Sequence, residues 1–170
     1  MPNQIIHMTL QQVFDTALHG IRSQGYEQSM TRGQMCAYVG HDPGSTPIHC
    51  AIGHCFAKAG IDGAVLDRSL ALTGVSFWLP KHAAIDFVDS RNTSIPSVAP
   101  AAPTREQATA AVNQARQLFA GLDVHVLSEL QDVHDSMGQY SCDRSTFEDY
   151  MAMFAAKHGL TYAAPEAAAA

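Results

Sequence analysis

The sequence has no cluster of Lys or Arg. Ten basic residues are scattered over 170 positions against sixteen acidic ones, for a formal charge of −6. A nucleic-acid binder requires a basic patch or stripe, so direct binding of nucleic acid is not expected. Charge of either sign is scarce, at 15%, while 46% of residues are apolar. That balance argues against disorder and for a packed core. No apolar run approaches the roughly 20 residues that span a bilayer. The opening "MPNQIIHMTLQQ" lacks a basic stretch followed by an apolar one, so neither a signal peptide nor membrane association is expected. Also missing are a Cys-x-x-Cys pair, a Gly-rich phosphate loop, a G-x-S-x-G elbow and an H-E-x-x-H helix. There is no internal repeat of about 20–50 residues, and tryptophan occurs once, at Trp78.

What is present reads as one α+β domain, mostly helical, with one small antiparallel β-hairpin. In "MTLQQVFDTALHGIRSQG", Leu10, Val13, Phe14, Ala17, Leu18 and Ile21 recur at helical spacing, and Thr9 with Gln12 forms a capping box. "QMCAYV" and "IHCAIG" read as strands joined by the turn-rich "GHDPGSTP". "HCFAKAG" reads as a short helix stopping at Gly60, and "AVLDRSLALTG" as another closed by Gly74. The stretch "VSFWLPKHAAIDFVD" is apolar, interrupted by Pro80, and suited to the core or to a subunit interface. Three helical segments follow, opening at Thr104, near Asp123 and at Ser145. The last of these is expected to bury Phe147, Tyr150, Met151 and Phe154. The domain is drawn over residues 1–162, with a connector at about 89–103 and a tail at 163–170.

"MCAYVGHDPGSTPIHCAIGHC", from Met35 to Cys55, concentrates three of the four cysteines. Zinc sites use close pairs such as C-x₂₋₄-C; Cys50 and Cys55, with four residues between them, reach only the upper limit of that range. His54 and Cys55 are adjacent and point in different directions, and the long loop leaves the Cys36–Cys50 register open. Cys36 and Cys50 are therefore expected to be packed thiols, with no cofactor. Zinc or another divalent metal is the alternative. In "LQDVHD", His134–Asp135 matches the metal-binding dyad of HD-type phosphohydrolases, and His134 also lies on an apolar stripe with Leu127, Leu130 and Met137. His125, Glu129 and Asp132 share one helix face and form a second cation candidate. Trp78 is either a core anchor or a ligand-facing aromatic.

Two stretches together resemble a family. "GQMCAYVG…IHCAIGHC" is similar to the C-x-Y-R-G…K-C-A-V-G-x-L-I signature of small uncharacterised bacteriophage and prophage proteins, and "LSELQDVHDSM…HGL" resembles their L-Q-x-x-H-D…H-G-L segment. The matching residues are Cys36, Tyr38, Cys50, Ala51, Gly53, Gln131, His134 and Asp135. Val39 replaces the usual Arg, and His54–Cys55 depart from the pattern. The resemblance implies a genome type: a protein acting in the cytoplasm of an infected or lysogenic bacterium. The expected function is non-enzymatic binding of anti-defence type, directed at a host protein or sequestering a small nucleotide. For a nucleotide, Arg32, Tyr38 and Trp78 would supply charge and stacking. The competing reading is a metal-dependent hydrolase or phosphodiesterase using His134 and Asp135. A homodimer is held beside a monomer, since two-fold dimers are the commonest soluble oligomer.

Overall fold

A computed structural model describes residues 7–29, 37–40, 46–70, 74–83, 85, 103–135 and 143–165. Among them are seven helices and one two-stranded antiparallel sheet, in agreement with the α+β reading. The order is α1 (Leu10–Ser23), β1 (Val39–Gly40), β2 (Ile48–His49), α2 (Ala51–Ala59), α3 (Gly63–Ser69), α4 (Val75–Trp78), α5 (Arg105–Leu118), α6 (Val124–Asp135) and α7 (Arg144–His158). No helix among the described residues is long and apolar enough to cross a membrane.

Helix α1 begins where its local chemistry dictates. The Thr9 hydroxyl accepts the Gln12 N–H and the Gln12 side chain accepts the Thr9 N–H, which satisfies two of the N–H groups that a helix start leaves unpaired. Its buried face is Val13, Phe14, Ala17, Leu18 and Ile21. Helix α5 repeats the device with Thr104 and Gln107, and buries Ala108, Ala111, Val112, Ala115 and Leu118. Gly60 and Gly159 end α2 and α7 in the left-handed conformation, where a side chain would be strained.

The hairpin pairs Val39 with His49 and Gly40 with Ile48. Two strands of two residues cannot stand alone in water. Side chains complete the ladder on both edges. The Asp67 carboxylate of α3 accepts the Tyr38 and Val39 N–H groups, each at 2.9 Å. The Gln24 amide accepts from His49 N at 3.1 Å and donates to His49 O at 2.8 Å, while Ser29 donates to Ile48 O.

Several boundaries differ from the sequence reading. "IHCAIG" does not continue as a strand: Cys50 is the N-cap of α2, its sulfur accepting the Gly53 N–H at 3.3 Å. Helix α3 ends at Ser69, and Gly74 opens α4 instead of closing α3. Helix α7 starts from Asp143, which accepts the Thr146 N–H, two residues before the expected opening at Ser145. Tyr150, expected inside, is 49% exposed, and Glu148 takes the buried position. Arg22 also donates to Ala163 O, beyond the end of α7. Most of the connector at 89–103, and Met137, lie outside the described residues.

The core is continuous from α1 through α7. Its centre is aromatic. The Tyr38 ring meets Phe56 edge-on at 4.9 Å and Trp78 at 6.2 Å, and Phe56 also contacts Phe119. Trp78 Nε1 donates to the Tyr38 hydroxyl at 3.1 Å, so both polar handles are satisfied inside.

Candidate functional site

Of the residues of the sequence motifs, the described ones meet in one region, where the N-terminus of α2 meets β1 and the C-terminal half of α6. Helix α2 seats directly on the β1 backbone. A methyl at Gly53 would overlap the Tyr38 carbonyl oxygen, and Gly63 leaves room for the Val39 and Tyr38 side chains from the other side. Cys50, Ala51 and Gly53 therefore act together: a cap, a buried helix start and a contact too close for any side chain.

Tyr38 and Trp78 are both inside. Trp78 is 2% exposed and Tyr38 less, so neither ring offers a face to solvent. Gln131 is buried as well, and its Oε1 accepts the Val75 N–H, which ties α4 to α6. His134 is fully buried; its Nε2 lies 3.3 Å from the Glu27 carbonyl, and its Nδ1 has no partner among the described residues. Gln28 reaches over to the carbonyls of His134 and Asp135 and closes the end of α6. Arg32 and Cys36 lie outside the described residues.

Burial sets the protonation states here. It pushes the Cys50 thiol well above its ordinary value, with the Asp135 carboxylate adding to the effect, and it pushes Cys55 up to about 12. Thiolate is the nucleophile and the metal ligand, so at neutral pH both sulfurs are packed thiols. Cys55 Sγ donates weakly to Val13 O at 3.7 Å. Burial also pushes His134 down to about 4. His54, whose ring lies on the backbone of Gly20 and 5.3 Å from the His49 ring, is pushed to about 4 by burial and by the neighbouring histidines. Asp67 moves the other way, up to about 6, because burial outweighs its two backbone hydrogen bonds.

Among the described residues no three His, Cys, Asp or Glu side chains are grouped closely enough to hold a metal ion. The His125–Glu129–Asp132 face does not gather on a cation. Glu129 instead cross-links α6 to α7 through Lys157 at 2.7 Å and His158 at 3.1 Å.

Sequence reasoning missed a second polar centre. Glu148 receives a two-pronged bond from Arg22, both N–O distances 2.8 Å, and hydroxyl bonds from Tyr26 at 2.7 Å and Tyr162 at 2.8 Å. Burial alone would raise this carboxyl; the three donors outweigh it and hold it below the ordinary glutamate value. The Arg22 guanidinium also lies over the Tyr162 ring. With the reciprocal Gln11–Thr161 bonds, the network straps residues 160–163 across α1 and α7. Every oxygen of Glu148 is occupied, which marks a structural centre. No short-range pattern announces it, since Arg22 and Tyr26 lie 126 and 122 residues from Glu148.

Compared with known proteins, the chain matches no family model, no curated protein and no solved structure.

Proposed function

We propose that this chain is a non-enzymatic binding protein of bacteriophage or prophage type that acts on a host protein. The observation that carries the reading is where its large apolar side chains lie. The polar and aromatic residues of the sequence motifs are engaged in building the core, while Phe77, Tyr150 and Met153 are 57%, 49% and 67% exposed. Tyr150 and Met153 sit one turn apart on α7, and Phe77 belongs to α4; both helices pack on α6. Exposed aromatic and methionine side chains are the kind enriched at protein interfaces. The nucleotide version of the reading has less support, because the Tyr38 and Trp78 ring faces are taken by Phe56 and by each other. The motif resemblance supplies the phage context.

A photo-crosslinking residue at position 153 or 77, in the full chain expressed in a bacterial host, tests this. A discrete host-protein adduct is expected at both positions, the one at 77 lost on Met153→Asp, and no such adduct when the crosslinker replaces Glu106, an exposed residue in the first turn of α5. Identical adducts from all three positions, or none at 153 and 77, would overturn the reading.

A further inference from the structure

A half-open pocket of about 210 Å³ lies between the turn after α4 and the C-terminal end of α5. Its lining combines apolar side chains, Leu79, Phe119, Leu122 and Val124, with two cations, Lys81 and Arg116. Arg116 builds the site as well as lining it. Its Nε donates to Trp78 O and Leu79 O, and its Nη2 to Trp78 O at 2.7 Å, Pro80 O at 2.8 Å and Ala83 O at 3.3 Å. These bonds hold the turn against α5, so the pocket is preformed.

The charge balance here is unusual for this chain. Although the molecule is net acidic, no Asp or Glu among the described residues lines the pocket. Among the described residues, neither Arg116 nor Lys81 has a carboxylate within ion-pair distance. Among the described residues Arg116 bonds only to neutral carbonyls, and its Nη1 donates no hydrogen bond. A guanidinium stays charged under any such burial, so the pocket presents positive potential beside apolar side chains. Size narrows the ligand. An apolar cavity of about 150 Å³ holds benzene, so this one takes a single substituted ring or a compact branched chain, not a base with its sugar and phosphate.

We infer that this pocket binds a small organic monocarboxylate, its apolar body against Leu79, Phe119, Leu122 and Val124 and its carboxylate at Lys81 and Arg116. The site is independent of the protein-binding surface proposed above. It uses charge-assisted hydrogen bonds for orientation and burial of a small hydrocarbon body for affinity.

The test titrates benzoate, and its neutral isostere benzamide, into the isotopically labelled full chain and follows backbone amide NMR shifts. Benzoate should saturate with shifts confined to residues 79–81 and 119–124, and benzamide should bind at least tenfold more weakly. Lys81→Gln, at an exposed position, should weaken benzoate severalfold without changing the melting temperature or the benzamide response. Val124→Phe, which enlarges an apolar lining residue, should abolish both. Equal binding of the two probes, shifts scattered elsewhere, no shifts at all, or benzoate binding unaffected by Lys81→Gln would each overturn the inference.

Discussion

Replacing Gly53 by alanine isolates the contact on which the motif region is built. Gly53 lies in the first turn of α2, where the Tyr38 carbonyl oxygen occupies the space a Cβ needs and the carbonyl carbon would be 2.9 Å away. The obstacle is backbone, which cannot rotate aside as a side chain can. Tyr38 N–H is itself fixed on Asp67, so β1 cannot yield without loosening the hairpin edge. Overpacking in a tight core costs about 1–3 kcal/mol, and this site belongs at or above the upper end. Alanine regains about 1 kcal/mol of helix propensity over glycine in compensation. The expected net loss is ~2–3 kcal/mol, a substantial part of the 5–15 kcal/mol that stabilises an ordinary domain. For a chain of this size that is a drop in melting temperature of roughly 5–10 °C. Gly121→Ala is the matched control: its φ is +85 but nothing lies within 4 Å, so only backbone strain of about 1 kcal/mol is expected. Urea denaturation of the two variants separates collision from strain. If Gly53→Ala proves as stable as the parent, or less affected than Gly121→Ala, helix α2 does not seat on β1 as described.

Three further outcomes follow from the same structure. Unfolding should become easier in mild acid: the fold holds His134 at about 4 against an ordinary 6.5, so the unfolded chain takes up a proton there first, and stability present above pH 6.5 falls as pH drops toward 4. At about 1.4 kcal/mol per tenfold, this one group supplies up to ~3 kcal/mol. His54 acts in the same direction, while Asp67, at about 6 in the fold, offsets part of the loss between pH 6 and 3.8; urea midpoints of His134→Gln against pH should show a flatter acid limb. Glu148→Gln should lower stability by about 1–3 kcal/mol, because Arg22 keeps its charge and loses its partner, and amide exchange at residues 160–163 should accelerate; unchanged exchange there would refute the strap. Cys50→Ala should cost about 1–2 kcal/mol through lost packing and a lost cap, whereas Cys50→Ser keeps an acceptor for the Gly53 N–H and should cost less. Chelators should leave the melting curve unchanged, and stoichiometric zinc found by elemental analysis would contradict the packed-thiol account.

Local chemistry made much of this fold legible in advance. The helix starts at Thr9 and Thr104 depend on partners three residues away, and the stops at Gly60 and Gly159 depend on one residue's backbone freedom. The apolar stripe of α1, and Leu127, Leu130 and His134 on α6, follow from helical period alone. The hairpin's place could be read from its turn residues. Its ends could not, because what terminates β2 is the Cys50 sulfur turning back to cap a helix.

Only the tertiary structure decided what the polar residues do. Asp67 completes the sheet edge from 28 and 29 residues away, and Glu148 meets Arg22 across 126 residues. No short window of sequence contains both partners, so the role of neither carboxylate can be read from its neighbours. The same holds for Tyr38 and Trp78, which satisfy each other's polar atoms 40 residues apart and so can be buried rather than offered to a ligand. Hydrophobic pattern and capping are properties of neighbouring residues, and the sequence determines them by itself. Whether a carboxylate, thiol or imidazole is a structural group or a reactive one depends on which distant atoms surround it, and that is settled only when the chain has folded.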